Sequence, residues 1–99
     1  MGSARHPRGV ATYVVEAYLP NSPVARESAS AAAMQLARVA DGVRYVRSVF
    51  LPDEETVFHL FEAPSPAVVI DAAARVELAM DRIATAIERR GDDEVALGS

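Results

Sequence analysis

The sequence predicts an α+β sandwich with element order βαββαβ, a single four-stranded antiparallel sheet carrying two helices on one face. Three observations carry that expectation. Two Thr-led segments, Thr12–Tyr18 and Thr56–Glu62, each run into a proline and then a Ser-Pro pair, Ser22-Pro23 and Ser65-Pro66, about 44 residues apart, an internal repeat on the scale of a βαβ unit. Each Ser-Pro pair opens an alanine-rich stretch. The first copy closes with a strand-like segment, Val43–Leu51, so the second copy requires a strand in the same place.

Taken in order, residues 1–11 carry Pro7 and Gly9 without a hydrophobic period and read as a loose arm. Thr12–Tyr18, rich in β-branched and aromatic residues and stopped by Pro20, is the first strand. Ser22 supplies a hydroxyl cap and Pro23 a first helical residue whose missing N–H costs nothing. Gly42 is the matching stop. Between them Ala29, Ala32, Ala33, Leu36, Val39 and Ala40 share one helix face. Val43–Leu51 and Thr56–Glu62, joined by Pro52-Asp53-Glu54-Glu55, form an antiparallel hairpin. With Leu51 opposite Thr56, Ser48 pairs with His59, Arg47 with Leu60 and Val46 with Phe61. Alternation then puts Arg44, Val46, Ser48, Phe50, Val57, His59 and Phe61 on one face, and Tyr45, Arg47, Val49, Leu51, Phe58, Leu60 and Glu62 on the other. Ser65-Pro66 opens the second helix, through Val76 and ending near Leu78. Arg82–Glu88 alternates as the closing strand, although alanine content alone would continue the helix to Arg90. The acidic residues 91–99 read as a frayed tail. The whole is a ferredoxin-like sandwich in one domain over residues 12–90.

Composition narrows the function. At 99 residues, 51% hydrophobic and 24% charged, the chain is a globular domain, and no apolar run approaches the roughly 18–20 residues of a membrane span. Absence of cysteine excludes disulfides, thiolate metal sites and a cysteine nucleophile. All ten basic residues are arginine and the net charge is -4, which disfavours nucleic acid as a partner and excludes lysine chemistry. Without an apolar leader at the N-terminus, a cytoplasmic location is the expectation.

Both faces of the hairpin are largely apolar, yet two helices cover only one. The open face therefore calls for a cover, and for so small a chain the simplest is a second copy: a homodimer packed sheet to sheet in the manner of dimeric α/β-barrels. Its enclosed space is the candidate site, with Tyr18, Tyr45, Arg47, Ser48, Phe61 and Glu62 as pocket residues. His59 is the one near-neutral base and ordinary metal ligand of the folded region; the alternative reading is a half-buried histidine bonded to Ser48. Glu16 and Tyr18 share a face, as a pocket lining or as a strand edge. Arg47 needs a carboxylate, Glu62 or Glu16, whether as an ion pair or an anion clamp. Asp53, Glu54 and Glu55 form either a cation site or a solvated tip. Nucleophilic triads, phosphate loops and dinucleotide fingerprints are absent from the sequence.

The stretch from Val43 through Pro52-Asp53-Glu54-Glu55 to Thr56, continuing over Leu60-Phe61-Glu62-Ala63-Pro64-Ser65, resembles a small bacterial nickel-binding family long catalogued as a domain of unknown function. Val15-Glu16 with Tyr18-Leu19-Pro20, and Asp81-Arg82-Ile83, extend the resemblance over residues 12–88. It implies a dimeric ferredoxin-like protein that binds Ni²⁺; a non-enzymatic metal site in this chain would use His59 with a carboxylate, Glu16 or Glu62, alone or across the dimer. This chain departs from the family at Val57 and His59, which stand where relatives often carry cysteine. Glu77, Ala79 and Met80 stand where the family has a Gly-Leu-Pro-Phe-like turn. The loss of cysteine keeps a second function open: a small enzyme or ligand carrier with a pocket of Tyr13, Tyr18, Tyr45, Phe58 and Phe61 for a small apolar molecule, and His59 or Glu16 as acid and base.

Overall fold

The computed structural model describes residues 10–89 and Gly91. The expected arm (residues 1–11) and tail (91–99) lie outside the described residues apart from Val10, Ala11 and Gly91. Strand β1 spans Ala11–Tyr18, helix α1 Pro23–Val39, β2 Arg44–Leu51, β3 Thr56–Ala63, α2 Pro66–Val76 and β4 Arg82–Ala86. The sheet order is β2-β3-β1-β4 with antiparallel neighbours throughout, the ferredoxin-like arrangement that the repeat predicts.

Local chemistry sets the boundaries. Ser22 Oγ accepts the Ala25 N–H at 2.9 Å, and Ser65 Oγ accepts that of Val68 at 3.4 Å, so both Ser-Pro pairs cap their helices. After α1 the chain turns at Gly42, whose φ of 78° and whose distance of 3.3 Å from a hypothetical Cβ to Pro64 both favour glycine. Helix α2 ends at Val76 because Glu77 takes a left-handed φ of 58° and the Leu78 N–H turns back to the Ala73 carbonyl at 2.9 Å. That turn, and the docking of Arg82–Ala86 beside β1, end the reading in which α2 continues to Arg90. β4 stops at Ala86, two residues before the expected Glu88.

The hairpin register agrees with the sequence at Ser48 with His59, Arg47 with Leu60 and Leu51 with Thr56. It departs below them. A bulge between Tyr45 and Arg47 leaves Val46 as the extra residue, so Tyr45 rather than Val46 lies opposite Phe61. Strict alternation had placed Tyr45 on the face of Arg47 and Leu60, and Arg44 on the face of His59. The bulge exchanges them, taking Tyr45 to the helix side and Arg44 to the open side opposite Glu62.

On the helix side, Tyr13 and Val15 of β1 and Phe61 and Ala63 of β3 pack with Leu36 of α1 and Val69, Ala72 and Ala73 of α2. Alanines at Ala33, Ala72 and Ala73 let both helices lie close to the sheet. The open side carries Val14, Phe58, Leu60 and Val49, bordered by ion pairs: Arg44 with Glu62 at 3.0 Å, Arg82 with Glu16 at 3.3 Å, and Arg47 with Glu88 at 2.6 Å. Arg47 is thus exposed rather than buried, and its carboxylate is neither Glu62 nor Glu16. The chain leaving β4 brings Glu88 to β2, a contact that strand pairing alone does not reveal.

Candidate functional site

Between the first turns of α1 and the adjoining ends of β1 and β3 lies a cavity of about 390 Å³. Its existence follows from side-chain size. Ala25, Ser28, Ala29 and Ala32 form its α1 wall, whereas Leu36, one turn further along the same helix, packs into the core. Ala17 and Val57 lie on its sheet side, with Tyr18 and Leu19 where β1 ends. The exit from α2 closes another side through Val76, Glu77, Leu78 and Ala79.

His59 also lines this cavity, with 1% of its surface exposed. Its Nδ1 lies 2.6 Å from Ser48 Oγ, which lies 2.5 Å from the Tyr45 hydroxyl. Two hydrogen-bond orders satisfy this chain. In one, His59 Nδ1–H donates to Ser48, whose hydroxyl donates to Tyr45, and Nε2 presents a lone pair. In the other, Tyr45 donates to Ser48 and Ser48 to Nδ1, and Nε2 carries the proton. Burial pushes the imidazole pKa down to about 4. At neutral pH the ring is therefore uncharged in either order.

The expected site residues divide between the two sides of the sheet. His59, Ser48, Tyr45 and Phe61 face the helices, with Phe61 fully buried in the core. Tyr18, 59% exposed at the end of β1, lines the cavity. Glu16, Arg47 and Glu62 belong to the open face and its ion pairs. Glu16 pairs with Phe58 while Val15 pairs with His59, so Glu16 and His59 point to opposite sides of the sheet. They cannot hold one ion within a protomer. Phe58 likewise turns away from the cavity, and Tyr13 is core. Arg44 grips Glu62 through two hydrogen bonds, at 3.0 and 3.1 Å, and these hold the Glu62 carboxyl below its ordinary pKa range.

Among the described residues, no group of three or more His, Cys, Asp or Glu side chains comes together. The acidic turn instead packs by its backbone: the Glu55 carbonyl accepts the Leu19 N–H at 2.9 Å. Sequence reasoning missed the α1 wall and Glu77. The available signal was the Ala25, Ala29 and Ala32 spacing, three small residues on one helical face without a large partner.

The sequence pattern of a family described as nickel responsive protein SCO4226-like matches residues 13–85. The chain belongs to the SCO4226-like family. A solved structure, described as the crystal structure analysis of SCO4226 from Streptomyces coelicolor A3(2), resembles it with a TM-score of 0.69 and 17% identity, covering 81% of this chain and 100% of that one. At that identity the likeness establishes the shared fold. No curated protein matches the chain. Among the described residues, no helix is long and apolar enough to cross a membrane.

Proposed function

We propose that this chain is a non-enzymatic nickel(II)-binding protein that works as a homodimer, with His59 as the donor each protomer offers from its cavity. The observation that carries the reading is the buried, uncharged imidazole whose Nδ1 is occupied by Ser48. Metal-bound histidines are characteristically held through their second ring nitrogen in this way. A neutral imidazole also spares the metal competition from a proton. Nickel(II) accepts imidazole, carboxylate and water together. Glu77, at the left-handed turn lining the same cavity, is the carboxylate closest in role. The family's description as nickel responsive supports the same reading.

Among the described residues one protomer supplies at most two such donors here, so the site is open and its metal exchangeable, as suits a protein that answers changes in metal supply. The homodimer is supported by the uncovered face, where Val14, Phe58 and Leu60 form an apolar centre within a border of ion pairs. Of the two groups that could each serve the acid–base alternative, Glu16 faces the open side of the sheet, away from the cavity. An imidazole with a pKa of about 4 is also a weak base at neutral pH.

Calorimetric titration of the full chain with NiCl₂ tests the proposal. The expected result is saturable binding that His59→Ala abolishes and Glu77→Gln weakens. Binding unchanged in His59→Ala, or no binding to the parent protein, would refute it.

A further inference from the structure

The cavity beneath α1 has a buried floor and an exposed rim. Ala17, Val57, His59 and Leu78 at its base are buried, whereas Tyr18, Ser28, Glu77 and Ala79 around it are exposed. At 390 Å³ it falls within the span of about 300–1,000 Å³ in which proteins hold small molecules, in sites that are mostly apolar with a few polar groups. Water filling it would amount to roughly a dozen molecules at about 30 Å³ each, and a buried water typically makes about three hydrogen bonds. The floor offers one polar side chain, His59. An apolar group that displaces so poorly held a water gains affinity. No arginine lines the cavity among the described residues, and its carboxylate, Glu77, stands on the rim. An anionic ligand would therefore lose its hydration without meeting a countercharge.

The polar point of the floor is His59 Nε2. Ser48 holds Nδ1, and Nε2 has no hydrogen-bond partner among the described residues, on a side chain of a residue only 1% exposed. What Nε2 asks of a ligand follows from the proton order of the Tyr45–Ser48–His59 chain. When Tyr45 donates to Ser48 and Ser48 to Nδ1, the phenolic proton is used and Nε2 carries a hydrogen. In the reverse order the Tyr45 proton has no acceptor among the described residues. The first order is the better satisfied, and it leaves a buried N–H in want of an acceptor. We propose that this cavity binds a small, uncharged, largely apolar molecule with one carbonyl oxygen, the oxygen accepting the His59 Nε2–H while the apolar body lies against Ala25, Ala29 and Ala32. A metal on His59 needs the opposite proton order, with a lone pair at Nε2, so metal and carbonyl ligand exclude each other.

NMR titration of the full, metal-free, ¹⁵N-labelled chain with acetophenone, ethylbenzene and benzoate tests this. Acetophenone is expected to bind saturably, moving the amide signals of Ala29, Ala32 and Val57 and the Nε2–H signal of His59. Its affinity should exceed that of ethylbenzene, which lacks the oxygen, by at least ~5-fold. Benzoate, similar in shape but charged, should bind at least ~10-fold more weakly than acetophenone. Ala29→Leu, which narrows the cavity and leaves His59 in place, should weaken acetophenone at least ~5-fold, with circular dichroism melting to confirm that the variant is folded. Equal affinity for acetophenone and ethylbenzene would overturn the hydrogen bond to His59, and benzoate binding as tightly as acetophenone would overturn the uncharged ligand. Shifts confined to the open face around Leu60, an affinity unchanged in Ala29→Leu, or no saturable shift with acetophenone would overturn the site. With no metal present, each of these results stands apart from the NiCl₂ titration.

Discussion

Acidification should unfold this protein partly through a single side chain. His59 has an ordinary pKa of 6.5 in an unfolded chain and about 4 in the folded one, because burial penalises its charged form. The unfolded chain therefore takes up the proton first as the pH falls. The stability gained from keeping the ring neutral is complete above pH 6.5 and is lost as the pH drops toward 4. Each pKa unit is worth about 1.4 kcal/mol, so the full loss is about 3 kcal/mol, of which about 2.5 kcal/mol has gone by roughly pH 4.5. Urea unfolding near pH 7.5 and near pH 4.5, in the parent protein and in His59→Gln, measures it; the amide does not titrate and can still bond to Ser48. With a denaturant slope of about 1–2 kcal/mol per molar urea, the parent's midpoint should fall by about 1.3–2.5 M more than the variant's. Equal losses in the two proteins would show that the imidazole titrates normally and would refute the buried, neutral ring on which the site depends.

Other consequences are as specific. Ser48→Ala deprives Nδ1 of its partner and should cost about 1–3 kcal/mol in urea unfolding, while ring ¹⁵N shifts report a change of tautomer in His59. Glu77→Gly relieves a left-handed residue with φ of 58° and should stabilise the fold by about 1 kcal/mol while weakening nickel binding, two readouts that separate strain from ligation. Leu60→Asp on the open face should convert the homodimer to monomers in sedimentation velocity. A parent protein that sediments as a monomer at all concentrations tested would contradict the dimer.

The element order was legible because its signals are local: Ser22-Pro23, Ser65-Pro66 and Gly42 act through their own backbones. The contact between Ser48 and His59 was legible too, since the hairpin register brings those residues opposite each other. Tyr45 was not. The bulge at Val46 carries no glycine or proline to announce it, and one extra residue reverses every side chain beyond it. Placing Arg47 required the course of the chain after β4, which brings Glu88 to it. The cavity was illegible for a different reason. It is a volume left unfilled by alanines of α1 and bounded by the exit of α2, elements separated by more than thirty residues in the chain. A periodicity argument records which residues are apolar and not whether their summed volume fills the space between layers.

The proposed function turns on nickel being held through the His59 imidazole in the cavity beneath α1. X-ray absorption spectroscopy at the nickel K-edge on the loaded full chain tests it most directly. Six light-atom neighbours with the multiple-scattering signature of one imidazole per nickel are expected, the imidazole signature being lost in His59→Ala. A nickel environment without imidazole, or one that is the same in the variant, would contradict it.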